Sequence, residues 1–585
     1  MKKLIALLLA AFMSMSVLAA CSNNEETPEE PTETPTEEPG EEEPGEEEPG
    51  EANPLPEWGA YDELIREIKS STDFVAREAL MHEAEDMLME TFALVPLYYY
   101  NDIYLQKPEV TGLYANPFGT KFFMYGSAPD NVLKLQLASE PDKLDPALNS
   151  TVDGATLAAN TFIGLYTYDD KGALAPALAE SYTESEDGLT YVFTLKDGLK
   201  WSDGSELNAK DFEYAWKRAA NPDTGADYSY MFNAIAGYDD NDLQVTASED
   251  GKTLTVVLAA PTAYFLDLVA FPTYLPLKQS EVEAPADYAT NPGAWALEAG
   301  FVSNGAYTLE TWNHNESMVY VKNPNFYRAD EVTIERLELM LSDDDAAIYA
   351  AYNSGDLQFI DTVPTDEIAS LLDDPEFNIV EQLGTYYVTF NVKSPLFEGK
   401  TVEQANAMRK AIALLIDRGY IAENIGQTGQ VPANAFIPAG MMDGHGGVFK
   451  ENDADYTYPD EESVGYFDPV YSNASVEEAI MLLEEAGFTM TADGMLDASN
   501  PISFEYVTNE SSGHIAVAEA IQQDLAVVGI DMTIKTMEWS VFLNERKAGN
   551  FDVARNGWIA DFNDPINMLE MWTSDSGNND AQFGK

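Results

Sequence analysis

One cysteine, Cys21, and four histidines, His82, His314, His445 and His514, are all the thiol and imidazole in 585 residues. A single thiol cannot close an internal disulfide or build a thiolate metal cluster. The histidines are scattered, with none of the short spacings of metal ligands, so no metal is expected. His82 and His514 fall in helical patterns and are expected at the surface. The chain has no Gly-rich phosphate loop, no nucleophile motif and no Asp-rich calcium loop with its Gly and terminal Glu. It therefore does not read as an enzyme, and no cofactor is expected. Positive charge is also scarce: 31 Lys and Arg stand against 102 Asp and Glu, a net charge of −71. Such a balance excludes a basic face for nucleic acid or anionic membrane. Beyond the first 20 residues, no apolar run is long enough to cross a bilayer.

What is present begins with an address. Lys2 and Lys3 precede an apolar stretch over 4–18, and Leu18-Ala19-Ala20-Cys21 follows. This reads as a lipoprotein signal peptide over 1–20 with lipidation at Cys21; the alternative is an ordinary signal peptide beside a chance cysteine. The lipid would hold the protein on the outer face of the cytoplasmic membrane. Residues 21–56 are built from Glu, Pro, Thr and Gly, with nothing to bury, and are expected to be a disordered acidic tether. Residues 22–52 carry 14 Glu and no basic residue; setting these and the two leader lysines aside leaves −59 on residues 53–585. The remaining stretch of about 530 residues is long for one core and implies two or three lobes. The chain's 31 Tyr, 27 Phe and 8 Trp, all but one of them in this stretch, fill cores, and they also suit a large, partly wet binding cleft.

Periodicity outlines the body. Tyr61, Leu64, Ile65 and Ile68 recur at helical spacing, as do Leu80, Ala84, Met87 and Leu88. Leu94-Val95-Pro96-Leu97-Tyr98-Tyr99-Tyr100 reads as an extended buried segment, since Pro96 ends any helix. Residues 126–130 form a short polar connector. Alternation marks strands at Leu133, Leu135 and Leu137, at Tyr191, Phe193 and Leu195, and at Leu254, Val256 and Leu258. A stripe of Ile515, Ala518, Ile521 and Leu525 predicts a helix ending at Gly529, with a strand over 531–536. Together these give an α/β class with mixed sheets.

Several phrases occur in a fixed order. They are Ser139-Glu140-Pro141-Asp142-Lys143-Leu144-Asp145-Pro146, then Leu199-Lys200-Trp201-Ser202-Asp203-Gly204 with Leu207-Asn208-Ala209-Lys210-Asp211-Phe212. Ser303-Asn304-Gly305-Ala306-Tyr307, Lys322-Asn323-Pro324-Asn325-Phe326-Tyr327, and Arg409-Lys410-Ala411 with Ile416-Asp417-Arg418 follow. In this order they resemble the large peptide- and nickel-binding branch of ABC solute receptors, family 5 of the bacterial extracellular solute-binding proteins. The resemblance covers nearly all of residues 59–585. It implies an α/β fold of the type II periplasmic-binding-protein kind, two lobes plus an inserted third domain. On that pattern lobe I takes about 98–172 and 290–345, the middle domain about 173–289, and lobe III about 346–585 with 59–97.

The order departs from the family at one place. Phrases like Tyr61-Asp62-Glu63-Leu64-Ile65, Glu83-Ala84-Glu85-Asp86 and Val95-Pro96-Leu97-Tyr98-Tyr99-Tyr100 lie at the family's carboxyl end, yet here they precede the opening strand. Residues 57–127 thus resemble the family's C-terminal segment placed first, and 128–585 the remainder, which is a circular permutation. Permutation is tolerated where the joined ends are surface neighbours. The five residues 126–130 reach roughly 18 Å at most, at about 3.3–3.6 Å each. Tyr125 and Asn131 are therefore expected close together, and the stretch around Phe583 is expected beside Tyr61.

The resemblance also places a site. Within Val553-Ala554-Arg555-Asn556-Gly557-Trp558-Ile559-Ala560-Asp561-Phe562-Asn563-Asp564-Pro565, Asp561 matches the family residue that pairs with a peptide's α-ammonium. Gly557 would let the backbone approach the ligand, and Trp558 and Trp539 look like pocket walls. Arg555 and Arg546 match positions near the ligand's carboxylate end, and ion pairs within the fold would explain either equally. Asn304 is a candidate for contact with ligand backbone, although its place before Gly305 also suits a turn. Tyr230 is a further pocket candidate. Asp564, before Pro565, reads as a helix cap. The implied function is a monomeric, lipid-anchored receptor that captures short peptides and delivers them to ABC permease subunits with cytoplasmic ATPases. The same fold could instead hold a dipeptide, a signalling peptide, a nickel chelate or an oligosaccharide, or serve as a surface interaction protein without transport.

Overall fold

The structure, a computed structural model, describes residues 54–585 except Ala138, Gly172 and Ala263. The leader, Cys21 and residues 21–53 of the tether lie outside the described residues.

Two helices open the described chain. Helix α1, Gly59–Ser70, buries Tyr61, Leu64, Ile65 and Ile68, the stripe its spacing predicts. Helix α2, Phe74–Glu90, starts at Asp73, whose side chain accepts from the backbone nitrogens of Val75 and Ala76 and satisfies two otherwise orphan donors. Unlike α1 it buries charge: Arg77, His82 and Glu85 lie in the interior with its apolar residues.

Ten strands then form one mixed sheet. In chain order they are β1 (Leu94–Gln106), β2 (Val132–Gln136), β7 (Tyr307–Asn313), β8 (Ser317–Lys322), β9 (Arg336–Met340), β10 (Phe359–Ile360), β11 (Phe377–Phe390), β12 (Ser503–Asn509), β13 (Asp531–Met537) and β14 (Val553–Ile559). Their order across the sheet is β7-β8-β9-β2-β10-β1-β11-β14-β12-β13. A separate four-stranded antiparallel sheet lies within residues 179–257: β3 (Ala179–Glu184), β4 (Thr190–Leu195), β6 (Thr253–Val257) and β5 (Val245–Ala247), in that order. In β4 the alternation of Tyr191, Phe193 and Leu195 buries one face, as a half-buried strand requires.

Two long strands join the halves of the large sheet. β1 and β11 pair antiparallel from Leu94↔Thr389 to Leu105↔Phe377. At one end β1 reaches β10 through Leu105↔Ile360 and Gln106↔Phe359. At the other, β11 pairs with β14 from Gly384↔Ile559 to Phe390↔Val553. The β1–β11 register slips between Pro96 and Tyr98 and again between Tyr99 and Asn101. Pro96 has no N–H to give a central ladder, so a break there is where a proline can be tolerated. Outside the ladder, the Tyr99 N–H donates to the Val431 carbonyl at 3.0 Å.

The N-terminal segment is thus built into the centre of the sheet. The ring of Trp58 stacks on Phe583 (centroids 3.9 Å apart, planes 8°) and on Tyr61 (4.5 Å). Trp58 Nε1 donates to the Trp572 carbonyl at 2.8 Å, and Tyr61 Oη to that of Leu569 at 2.9 Å. Phe583 therefore sits beside Tyr61 with one ring between them. At the connector, the Gly126 carbonyl accepts from Thr333 and the Asn131 carbonyl accepts from the Glu335 N–H at 2.8 Å, so both ends meet one short segment. Among the described residues no helix is long and apolar enough to cross a membrane.

Candidate ligand-binding site

Strand β14 carries the site because its side chains alternate faces: Arg555, Gly557 and Ile559 share one face, with Asp561 just beyond. Two adjoining cavities meet there, both lined by Ser150, Thr151, Val152, Gly557 and Ile559. The smaller holds about 110 Å³ and the larger about 520 Å³.

The lining of the small cavity includes the rings of Phe122, Phe162, Tyr166, Tyr228, Phe271 and Trp558, together with Asp561. Asp561 Oδ1 accepts from Tyr228 Oη at 3.2 Å and Oδ2 from Asn567 Nδ2 at 2.9 Å. Asn567 Oδ1 in turn accepts from the Asp561 N–H at 2.9 Å and from Trp558 Nε1 at 3.1 Å. Among the described residues no lysine or arginine forms an ion pair with Asp561. Burial, only partly offset by the Asn567 and Tyr228 donors, pushes its carboxyl up to about 7.

The large cavity carries charged residues of both signs. Arg555, 9% exposed, lies with its guanidinium 5.3 Å from the Tyr386 ring centre and Nη2 3.5 Å from Tyr100 Oη; its Nε has no hydrogen-bond partner among the described residues. Arg546 Nε instead sits 2.8 Å from the Asp580 carboxylate. The two arginines that the sequence leaves equivalent thus differ: Arg546 is engaged within the fold, and Arg555 faces the cavity without a carboxylate. Trp539 lines the same cavity. Lys121 Nζ stands 3.0 Å from Asp102 and 3.1 Å from Asp361 on the wall.

Several expectations need correction. A Cβ on Gly557 would lie 2.1 Å from Tyr100 Oη, so the close approach its missing side chain permits is that of Tyr100. Asn304 lines neither cavity: its Oδ1 accepts from the Ile163 N–H at 3.1 Å and its Nδ2 donates to the Ile163 carbonyl at 2.9 Å. With each end of its amide engaged once, it braces Ile163, a wall residue of the small cavity. Tyr230 is buried behind Tyr228, its Oη accepting from Asn578 at 3.5 Å; Tyr228, two residues earlier, supplies the wall. His514 is no surface residue either. It lines the large cavity 3.2 Å from Tyr386 Oη, and burial, then Arg555, hold its imidazole well below the usual value. His82 is buried between Phe449 and Tyr456 (centroids 4.0 and 3.7 Å), and burial lowers it to about 4. Away from both cavities, His445 Nε2 meets Glu78 at 2.6 Å and Asp443 at 3.5 Å, a grouping that spacing along the chain could not reveal. Asp564 accepts from the Ile566 N–H at 3.0 Å just ahead of the short helix Ile566–Leu569, whose N-cap position is Pro565, and it also holds Arg77 through two 2.8 Å bonds.

The profile of the bacterial extracellular solute-binding proteins, family 5, middle part, matches residues 173–580. The oligopeptide-binding protein OppA of Bacillus subtilis is 31% identical over 467 residues, 77% of this chain and 79% of that protein. Among solved structures, Haemophilus influenzae OppA in complex with RPPGFSPFR superposes with a TM-score of 0.66 at 28% identity, over 77% of this chain and 84% of that one. Listeria monocytogenes OppA bound to peptide gives 0.65 at 28% identity, over 77% and 86%.

Proposed function

This chain belongs to family 5 of the bacterial extracellular solute-binding proteins, and on that premise we propose that it captures oligopeptides and delivers them to the permease of an ABC importer. The observation that carries the reading is a pair of uncompensated ionisable groups, one on a strand and one just beyond its end. Asp561 is half-buried at the cavity with no cation paired to it, and Arg555 faces the adjoining cavity without a carboxylate. An extended peptide presents those two complements at its ends, a free α-ammonium and an α-carboxylate. Enclosed between low-dielectric walls, each contact is worth far more than in water. The large cavity leaves room for side chains, and water there absorbs their variety.

Native mass spectrometry of the full chain purified without denaturation, beside Asp561→Asn, tests this. A parent carrying small peptides and an empty mutant are expected; a parent loaded with a non-peptide mass would overturn it.

The rest of the reading is finer. Lipidation at Cys21, docking to permease subunits with cytoplasmic ATPases, a monomeric state and the lobe boundaries given above all belong to this proposal. So does permuted order, supported by β1 at the sheet centre and by Trp58 stacked between Tyr61 and Phe583. A chain rebuilt as 128–585 followed by 57–127 should fold and bind the same ligands; failure of a soluble rebuilt chain to bind them would reject the permuted order.

A further inference from the structure

Resting on the peptide reading, we infer that the large cavity selects peptides carrying a basic side chain, with Asp153 and Asp361 as specificity-determining residues. Six carboxylates line it: Asp102, Asp153, Asp343, Asp345, Asp361 and Glu510. The only cations among its described lining residues are Lys121, Arg546 and Arg555. Arg546 is engaged by Asp580, which lies outside the lining, and Lys121 is shared between Asp102 and Asp361. Arg555, among its tyrosines, offers the one unengaged positive charge. The wall is therefore left with an excess of negative charge after every internal pairing is made.

The whole body is acidic, so acidity alone would say little; what singles out this wall is that Asp102, Asp153 and Asp361 are withdrawn from water, while Asp343 and Glu510 are exposed. The Asp102 and Asp361 side chains are each 15% exposed, so water screens them far less than a surface carboxylate. Asp153 Oδ2 is buried and without a hydrogen-bond partner among the described residues. A second kind of group makes the same demand. Asn509 is 9% exposed, lines the cavity, and its Oδ1 has no partner among the described residues, a bare acceptor awaiting a donor. Buried acceptors without donors are expensive, and a lysine ammonium or arginine guanidinium supplies several donors and no acceptor. Burial raises the Asp153 carboxyl and lifts Asp361 to about 7 against the pull of Lys121, so an arriving cation would restore charge that burial disfavours. An acidic side chain would face repulsion from the same groups.

The test is calorimetry on the full chain in mild detergent with tripeptides of alanine in which Lys, Met or Glu occupies each position in turn. Lysine is expected to bind about tenfold tighter than methionine in at least one position, with glutamate weakest there. Asp153→Asn and Asp361→Asn should each shrink the Lys-to-Met ratio, whereas Asp153→Glu, which keeps the charge, should retain it. Equal affinities for Lys and Met at every position would overturn the inference and leave the peptide reading standing. An unchanged ratio in both Asn variants would overturn the residue assignment. If the parent bound none of the tripeptides, the peptide reading and this inference would fall together.

Discussion

The small cavity and the large one draw on the same strand, yet rings close the first around a single carboxylate while charges of both signs line the second. In the small cavity Asn567 orients Asp561 and Trp558 together, and Tyr228 holds the second carboxylate oxygen. The large cavity is about five times the volume, and Arg555 has no comparable partner there. The difference separates two tasks, fixing one end of a ligand and tolerating the rest. A site that must accept many sequences needs one invariant contact held rigidly and much space held loosely.

The largest effect expected from breaking this contrast is at Asp561. Asp561→Asn should weaken binding of a peptide with a free N-terminus by about a hundredfold or more, the usual consequence of removing one partner of a buried pair. N-acetylation of the peptide should do the same to the parent and nothing further to the mutant, as calorimetry would read. Arg555→Gln should cost about tenfold to a hundredfold, and amidation of the peptide's C-terminus should be the matching loss. A comparable loss for amidated peptide in that variant would place the C-terminus elsewhere.

The pH dependence follows from sign. The Asp561 carboxyl titrates near 7 in the free protein, above its ordinary value, so ammonium binding must drive off a proton. Affinity should therefore fall as pH drops below about 7, by at most about tenfold per unit, and protons should be released into buffer at neutral pH. In the ligand-free fold the raised value means stability is lost as pH climbs from the unfolded carboxyl range towards 7. Asp561→Asn should lift Tm at pH 7.5 more than at pH 5, and an equal lift at both would contradict the assignment. The smallest effect is Trp558→Phe. It deletes the Nε1 donor to Asn567 and should weaken binding about fivefold, in line with one neutral hydrogen bond.

Much of the fold was legible because local pattern and packing agree. The α1 stripe buries the residues its spacing names, and β4 alternates as read. The site strand was legible through one continuous phrase that holds Arg555, Gly557, Trp558 and Asp561. What escaped came from elsewhere in the chain. Tyr228, Tyr100, Asn509 and Asp153 reach the cavities from a turn, two strands and a helix, and no period links them. Asn304 stayed open between two roles because an asparagine before glycine looks alike whether it braces a neighbouring backbone or greets a ligand; here it braces Ile163. Helix α2 misled for another reason: Arg77 is buried by pairing with Asp564 and His82 by stacking on Phe449 and Tyr456. Partners several hundred residues away turn polar positions into core positions, and periodicity carries no sign of them.

The breaks in the β1–β11 ladder have a mechanical meaning. A hydrogen-bonded strand pair resists stretching and yields to twist where its ladder is interrupted. Here the interruptions flank Tyr98 and precede Asn101, and Tyr98, Tyr100, Asn101 and Asp102 are themselves wall residues of the large cavity. The strand that joins the two halves of the sheet and a wall of the large cavity are one and the same stretch of backbone. A ligand filling that cavity would therefore press on the very residues where the ladder is interrupted.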